Sequence, residues 1–299
     1  MTTHFDRPYV DTPVGDEIAA RQAAVVAAET FGLAAPELLR VGMNALYRCG
    51  DVVLRVGRPT VDPVAGLAVA NCLTGLGIPV AEPARSSACV VDDLAVTAWR
   101  LVEPVDRPVD WVTVGRIVRR IHELDPTELP TEYPIPSPTT FPWWDFDRLL
   151  EETDDLLDRR AQAGLVAAVE RNRGWGEFED VVVCHGDVHP GNVLMSDDGP
   201  LLLDWDLLCL APAGWDHAML LTLAERWGGD AAVYPSFAAG YGVSLAADTT
   251  TRRFAELRNV AATLMRVRAG RLGPEARDEA NRRLKFWRGE PDAPPWRAQ

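Results

Sequence analysis

The chain has 299 residues, 47 % hydrophobic and 25 % charged, the ordinary proportions of a globular protein with length for about two domains. Its 30 Lys and Arg against 44 Asp and Glu give a formal net charge of −14, which repels phosphate backbones and argues against nucleic acid as a partner. The longest weakly polar stretch, 64–81, is broken by Asn71, Gly75, Gly77 and Pro79, and MTTHFDRPYVD lacks a basic region followed by an apolar core, so neither a membrane span nor export is expected.

In chain order, an alanine-rich amphipathic helix is expected over 15–32, with Gly32 as its stop. A hairpin at 40–57, a helix at 62–76 and strands near 88–92 and 94–102 follow, making a small β-rich lobe over residues 1–104. Over 112–124, Val114, Ile117, Val118, Ile121 and Leu124 form a buried stripe, with His122 beside it as a packed core histidine. A proline-rich loop at 130–142 leads to Trp143-Trp144-Asp145, an aromatic pair that either lines a substrate cleft or plugs the gap between lobes. From Phe146 to Asp158 the acids Asp147, Glu151, Asp154, Asp155 and Asp158 recur at helical spacing, opposite Phe146, Leu149, Leu150, Thr153 and Leu157. That acidic face is either a solvated helix surface or a negative wall for a cationic substrate. Helices are expected at 216–226, at 252–268 with Phe254, Leu257, Val260, Leu264 and Val267 on one face, and at 275–287; PDAPPWRAQ reads as a tail. The five cysteines, at 49, 72, 89, 184 and 209, lack C-x-x-C spacing and fit reduced thiols in a cytoplasmic protein.

The chemistry concentrates in VVVCHGDVHPGNVLMSDDGPLLLDWD, residues 181–206. VVVC and LLLD are short apolar runs separated by Pro-Gly and Ser-Asp-Asp-Gly, hence two buried strands joined by a loop, with the polar residues at strand ends. His185, Asp187 and Asn192 reproduce the H-x-D-x-x-x-x-N spacing of a phosphoryl-transfer loop, and Asp204 and Asp206 stand where a metal-binding aspartate follows. A carboxylate can orient a substrate hydroxyl and accept its proton, and Mg²⁺ prefers oxygen ligands such as the Asn192 amide and the Asp204 carboxylate. Read without function, the same block is a polar hairpin whose Asp and Asn cap turns.

With these residues the chain resembles the aminoglycoside phosphotransferase and choline kinase-like family of small-molecule kinases. HGDVHPGN at 185–192, LLLDWD at 201–206 and Gly214-Trp215-Asp216 look like that family's catalytic loop, metal-binding strand and following structural aspartate. Asn44-Ala45-Leu46-Tyr47-Arg48 with Val52-Val53-Leu54-Arg55-Val56 resembles its nucleotide-covering hairpin, and GRIVRRIHELDP at 115–126 its first long helix of the second lobe. The resemblance implies a protein-kinase-like two-lobed α+β fold, with a small β-rich lobe over 1–104 and a larger, mainly helical catalytic and substrate-binding lobe over 105–299. It also implies transfer of the γ-phosphate of ATP or GTP, with Mg²⁺, to a hydroxyl of a small, amine-bearing and cationic acceptor. Asp187 would be the base, Asn192 and Asp204 the metal ligands, and His185, Asp206 and Asp216 supporting residues. Asn44, Arg55, Arg100 and Val102 would contact the nucleotide, the 101–104 backbone pairing with adenine, and Trp143, Trp144 and Asp145 would border the acceptor.

Two departures stand out. The strand position that is lysine in most kinases is Arg55, and the helix 62–76 carries no glutamate to pair with it; Gly66 holds the matching position, and Asp62 at the helix start is the expected substitute. These departures keep a nucleotide-binding pseudokinase as an alternative. Gly186-Asp187-Val188-His189 also resembles the G-D-x-H element of dinuclear metallophosphoesterases, but the chain has five histidines and lacks the companion motifs.

Overall fold

The computed structural model describes residues 14–59 and 62–297. The reading of the N-terminal sequence as free of an export signal lies outside the described residues. In chain order the elements are α1 (Glu17–Phe31), β1 (Glu37–Val41), β2 (Ala45–Cys49), β3 (Val52–Gly57), α2 (Pro63–Gly75), β4 (Cys89–Val91), β5 (Leu94–Arg100), α3 (Trp111–His122), α4 (Phe146–Thr153) and α5 (Arg159–Arg171). They continue with β6 (Val182–Cys184), β7 (Val193–Ser196), β8 (Gly199–Leu202), β9 (Cys209–Ala211), α6 (Gly214–Trp227), α7 (Val233–Tyr241), α8 (Thr249–Ala269) and α9 (Pro274–Trp287). The fold is mixed α and β, with a small antiparallel sheet in the N-terminal part and a helical C-terminal part. Two compact units share the chain discontinuously. One gathers the residues up to Asp110, Glu123–Pro136 and His185–Leu208; the other gathers Trp111–His122, Ser137–Cys184 and the residues from Cys209 on.

The first unit is built on an antiparallel sheet of order β1-β2-β3-β5-β4. Alternation along β2 and β3 buries Ala45, Tyr47, Cys49, Val52, Leu54 and Val56 on one face. There they meet Ala20, Ala23, Ala24, Ala27 and Ala28 of α1. The alanine stripe has a packing reason, since small side chains let the helix lie close to the sheet. Asp16 caps the start of α1, and Gly32 ends it in the left-handed region, as the sequence reading expected of Gly32. The two-residue period of a strand then puts Arg55 on the opposite face, in register with Leu46 and Thr97. On the same unit, the β7-β8 hairpin joins the chain through a parallel bridge between Val80 and Leu202.

The second unit is helical apart from the β6-β9 pair, in which Cys184 stands opposite Cys209. Helix α7, which the sequence reading missed, packs on α3 through two glycines: a Cβ at Gly115 would lie 2.1 Å from the Phe237 carbonyl, and one at Gly240 1.8 Å from that of Val112. The expected apolar face of α8 is buried throughout, at Phe254, Leu257, Val260, Leu264 and Val267. Helix α5 was also missed, and the segment from Phe146 to Asp158 is not one helix. It breaks into α4 and a turn at Asp154–Leu156, after which Asp158 caps α5. Its acids find arginines: Asp155 with Arg271 at 2.6 Å, Asp158 with Arg288 at 2.7 Å. This corrects the expectation of one continuous acidic face. The C-terminal segment is likewise more than a tail, because Trp296 is buried against Trp227 and Phe286. All five cysteines are free. Among the described residues no helix is long and apolar enough to cross a membrane.

Candidate active site

The residues of the 185–192 loop and those of 204–206 come together in the first unit. The loop after β6 turns at Gly186, whose φ of 93° suits glycine and whose missing Cβ lets the backbone pass the Leu207 carbonyl, 1.8 Å from where that carbon would sit. His185 is fully buried and braces the loop. Its Nδ1 accepts from the Asp187 N–H at 3.3 Å, which leaves Nε2 to donate to the Leu203 carbonyl at 3.1 Å. Leu203 in turn donates its N–H to the Asn192 carbonyl at 2.9 Å. Both backbone groups of the residue before Asp204 are therefore tied to the loop that carries Asp187 and Asn192.

Asn192 is buried, and its Nδ2 donates to the Asp187 carbonyl at 3.0 Å and to Asp187 Oδ2 at 3.2 Å. The amide nitrogen thus fixes the Asp187 carboxylate and leaves the amide oxygen for another partner. His189 accepts from Gly191 N–H at its Nδ1 and holds Nε2 3.4 Å from Asp187 Oδ2. Its place two residues after Asp187 was the available signal.

Asp204 adopts the left-handed conformation at φ 62°, ψ 74°, one of the strained backbone positions that cluster at functional sites. Arg55 reaches it from β3: Nη2 lies 3.3 Å from Asp204 Oδ1, while Nη1 donates to Asp206 Oδ1 at 3.1 Å and Nη2 also bonds Asp206 Oδ2. Burial works to lower the pKa of the guanidinium, but Asp206 and then Asp204 hold it above the ordinary arginine value. The Asp204 carboxyl is pushed up to about 6 by the surrounding protein and by the charge of Asp206, with Arg55 pulling the other way. Asn44, its amide oriented by its hydrogen bonds, accepts from Arg55 Nη2 at 2.7 Å and Nε at 3.3 Å. Gly57 leaves room for that amide, which lies 2.1 Å from the position of an added Cβ.

Asp62 was expected to stand in as the partner of Arg55. Its side chain instead caps α2 through the Val64 N–H, and the arginine's anions come from residues 149 and 151 positions further along.

The remaining assignments separate from this cluster. Arg100 is exposed and pairs with Glu82 at 3.2 Å, at the Val52 end of β3 and three residues from the Arg55 register, about 10 Å along the strand. Val102 follows Leu101, whose N–H is taken by the Asp51 carbonyl, and its own backbone groups make no hydrogen bond among the described residues. In the second unit, Asp216 is buried with Oδ2 3.1 Å from His122 Nε2, and His122 Nδ1 lies 2.9 Å from the Tyr241 hydroxyl, so His122 is the packed core histidine expected. Cys184 joins this buried group, its Sγ facing the Ala211 carbonyl at 3.6 Å, and burial drives the thiol pKa well up. Trp144 is only 4 % exposed and packs on Trp215, Trp175 and Phe146, which leaves it no free face and corrects its assignment to a cleft wall. Trp143 is half-buried against Phe141, and Asp145 caps α4 through the Arg148 N–H.

A small antiparallel sheet, a helical C-terminal part and carboxylates at the ends of short strands after an H-x-D-x-x-x-x-N loop define a protein-kinase-like fold. The chain belongs to the phosphotransferase enzyme family, whose model matches residues 47–257. Over 153 residues it is 28 % identical to an aminoglycoside 3'-phosphotransferase of Streptomyces fradiae, which covers 50 % of this chain and 49 % of that protein. The chain thus spans about half the length of this curated relative. Spectinomycin phosphotransferase, solved with ADP and spectinomycin, is similar with a TM-score of 0.65 at 16 % identity, over 89 % of this chain and 93 % of that one. Amicoumacin kinase hAmiN, solved with AMP-PNP and Ca²⁺, is similar with a TM-score of 0.68 at 13 % identity, over 95 % and 98 %. Both likenesses concern the fold.

Proposed function

We propose that the protein is a small-molecule kinase that transfers the γ-phosphate of ATP or GTP to a hydroxyl of an amine-bearing acceptor such as an aminoglycoside or amino sugar. The observation that carries this reading is the convergence of Asp187, Asn192, Asp204 and Arg55 in one cluster of a chain from this family. Asp187 would orient the acceptor hydroxyl and take its proton, with its carboxylate held in place by the Asn192 amide. Arg55 would contact the nucleotide phosphates through its planar fork. The oxygen donors of Asn192 and Asp204 suit Mg²⁺, which when bound would neutralise charge on the phosphates. In this reading residues 1–104 cover the nucleotide, with Arg100 and Val102 toward the base, and residues 105–299 bind the acceptor, with Trp143 and Asp145 at its border and Asp216 as a buried support. A cytoplasmic location agrees with the free cysteines. The amine-bearing acceptor class is supported by relatives named for aminoglycoside and spectinomycin phosphorylation.

The test is a nucleotide-consumption screen with ATP and with GTP against amino alcohols, amino sugars and aminocyclitols, with mass detection of an added phosphate. Asp187→Asn should lower turnover of any hit by about 10²- to 10⁴-fold while nucleotide binding survives. Unchanged turnover would remove Asp187 as the base. A nucleotide-binding protein without turnover is the second reading, favoured by the hold of Arg55 on both strand-end carboxylates, and nucleotide binding with no hit across the whole panel would support it.

A further inference from the structure

Asp204 and Asp206 are two residues apart, both carboxylates, and both within reach of one arginine, yet their surroundings differ. Asp206 gives both of its oxygens to Arg55, one to each terminal nitrogen, and keeps 25 % of its side-chain surface exposed. Asp204 gives one oxygen at 3.3 Å, has no hydrogen bond on the other among the described residues, and keeps 41 % exposed. The bidentate fork is the stronger and more directional arrangement. It engages both Asp206 oxygens with the guanidinium and directs the carboxylate at Arg55.

The other acids that could hold Arg55 are missing or engaged elsewhere. Helix α2 contains no Asp or Glu, and the Asp62 carboxylate is used as its cap. On the far side of the guanidinium, the Asn44 oxygen accepts from Nη2 and Nε, so the plane is held from two directions. From this geometry, and resting on the kinase reading above, we infer that Asp206 is a positioning residue that anchors Arg55 for the nucleotide phosphates and is not a metal ligand. Asp204 is then the strand's divalent-cation carboxylate. An arginine is required at position 55 because a point-like ammonium cannot hold Asp206 through two parallel bonds while also facing Asp204.

The test measures ADP binding to the full chain by calorimetry, with and without Mg²⁺, for the wild type and for Asp204→Asn, Asp206→Asn, Arg55→Met and the Arg55→Met/Asp206→Asn double variant. Asp204→Asn should lose the Mg²⁺-dependent part of ADP affinity. Asp206→Asn should keep that dependence but bind ADP roughly tenfold more weakly, as Arg55→Met does, and the double variant should be no weaker than Arg55→Met alone. Loss of Mg²⁺ dependence in Asp206→Asn, or multiplied penalties in the double variant, would overturn the inference. Arg55→Lys provides a check that leaves both carboxylates intact: it should weaken ADP and retain Mg²⁺ dependence, and wild-type affinity in it would overturn the need for a fork. A wild type that binds no ADP with Mg²⁺ would end the kinase reading itself, and this inference with it.

Discussion

Asp204 and Asp216 follow the same catalytic loop, but one sits in the first unit sharing a guanidinium with Asp206, the other in the second unit locked to a histidine. Asp204 is partly open and its carboxyl is raised to about 6 by the surrounding protein and a like charge; Asp216 has no exposed side-chain surface and bonds His122, whose other ring nitrogen meets the Tyr241 hydroxyl. The contrast teaches how one chain uses the same side chain twice. In the first unit the carboxylate sits in a charged, incompletely satisfied cluster, whereas in the second it is buried and hydrogen-bonded to His122.

The sharpest way to break this contrast is to remove each carboxylate in turn and follow urea unfolding. Asp216→Ala takes the carboxylate from the buried His122 Nε2, leaving that ring nitrogen without its Asp216 bond, and should cost about 3 kcal/mol. Asp204→Asn, by contrast, removes one of two crowded like charges at a partly exposed site and should change stability by less than about 1 kcal/mol. Equal losses would erase the distinction. The helical unit's dependence on close packing can be tested next. Gly240→Ala drives a methyl into the Val112 carbonyl and should cost about 3 kcal/mol, read as a lower melting temperature.

Acid should also tell the regions apart. His217 of the second unit is buried against Tyr241 and Phe237, and burial first, then the neighbouring His122, lower its pKa from 6.5 to about 4. A histidine with a depressed folded-state pKa contributes stability that is complete above about 6.5 and lost as pH falls toward 4, because the unfolded chain takes up the proton first. The loss should reach at most about 3 kcal/mol, and His217→Gln should flatten the pH–stability curve over that range. A variant with the wild-type curve would show that another group carries the acid limb. The smallest effect belongs to the first unit: Gly57→Ala presses on the Asn44 amide and should loosen Arg55, lowering nucleotide affinity about threefold with little change in melting. Unaltered affinity would mean that Asn44 does not help to hold the guanidinium.

Much of the candidate site's geometry was legible because it is local. His185, Asp187 and Asn192 lie within one loop, so their spacing alone keeps them together, although the runs 181–184 and 201–204 expected to flank a single loop fall in separate sheets, β6 with β9 and β8 with β7; the apolar periodicity of α8 and the alanine stripe of α1 identify their buried faces. Where the reading failed, the deciding contact was distant. Helix α7, VYPSFAAGY, carries β-branched, aromatic, proline and glycine residues that weaken a helix signal, and it is secured by glycine-to-backbone contact with α3. The turn at Asp154–Leu156 interrupts a pattern that was periodic enough to suggest one helix, because Asp158 begins a new one. Trp296 looked like part of a polar end until Trp227 and Phe286 surrounded it.

By itself the sequence determined which groups are available and where the chain turns: carboxylates and a carboxamide at strand ends, an arginine on an inward strand, and a second helix without an acid to receive it. The tertiary structure alone decided what Arg55 holds. Its partner comes from 151 residues away, and only the folding of β3 beside the segment after β8 brings the two together. Sequence spacing reports neighbours along a turn or strand, while a contact of that separation depends on packing of the whole unit, which no local pattern encodes.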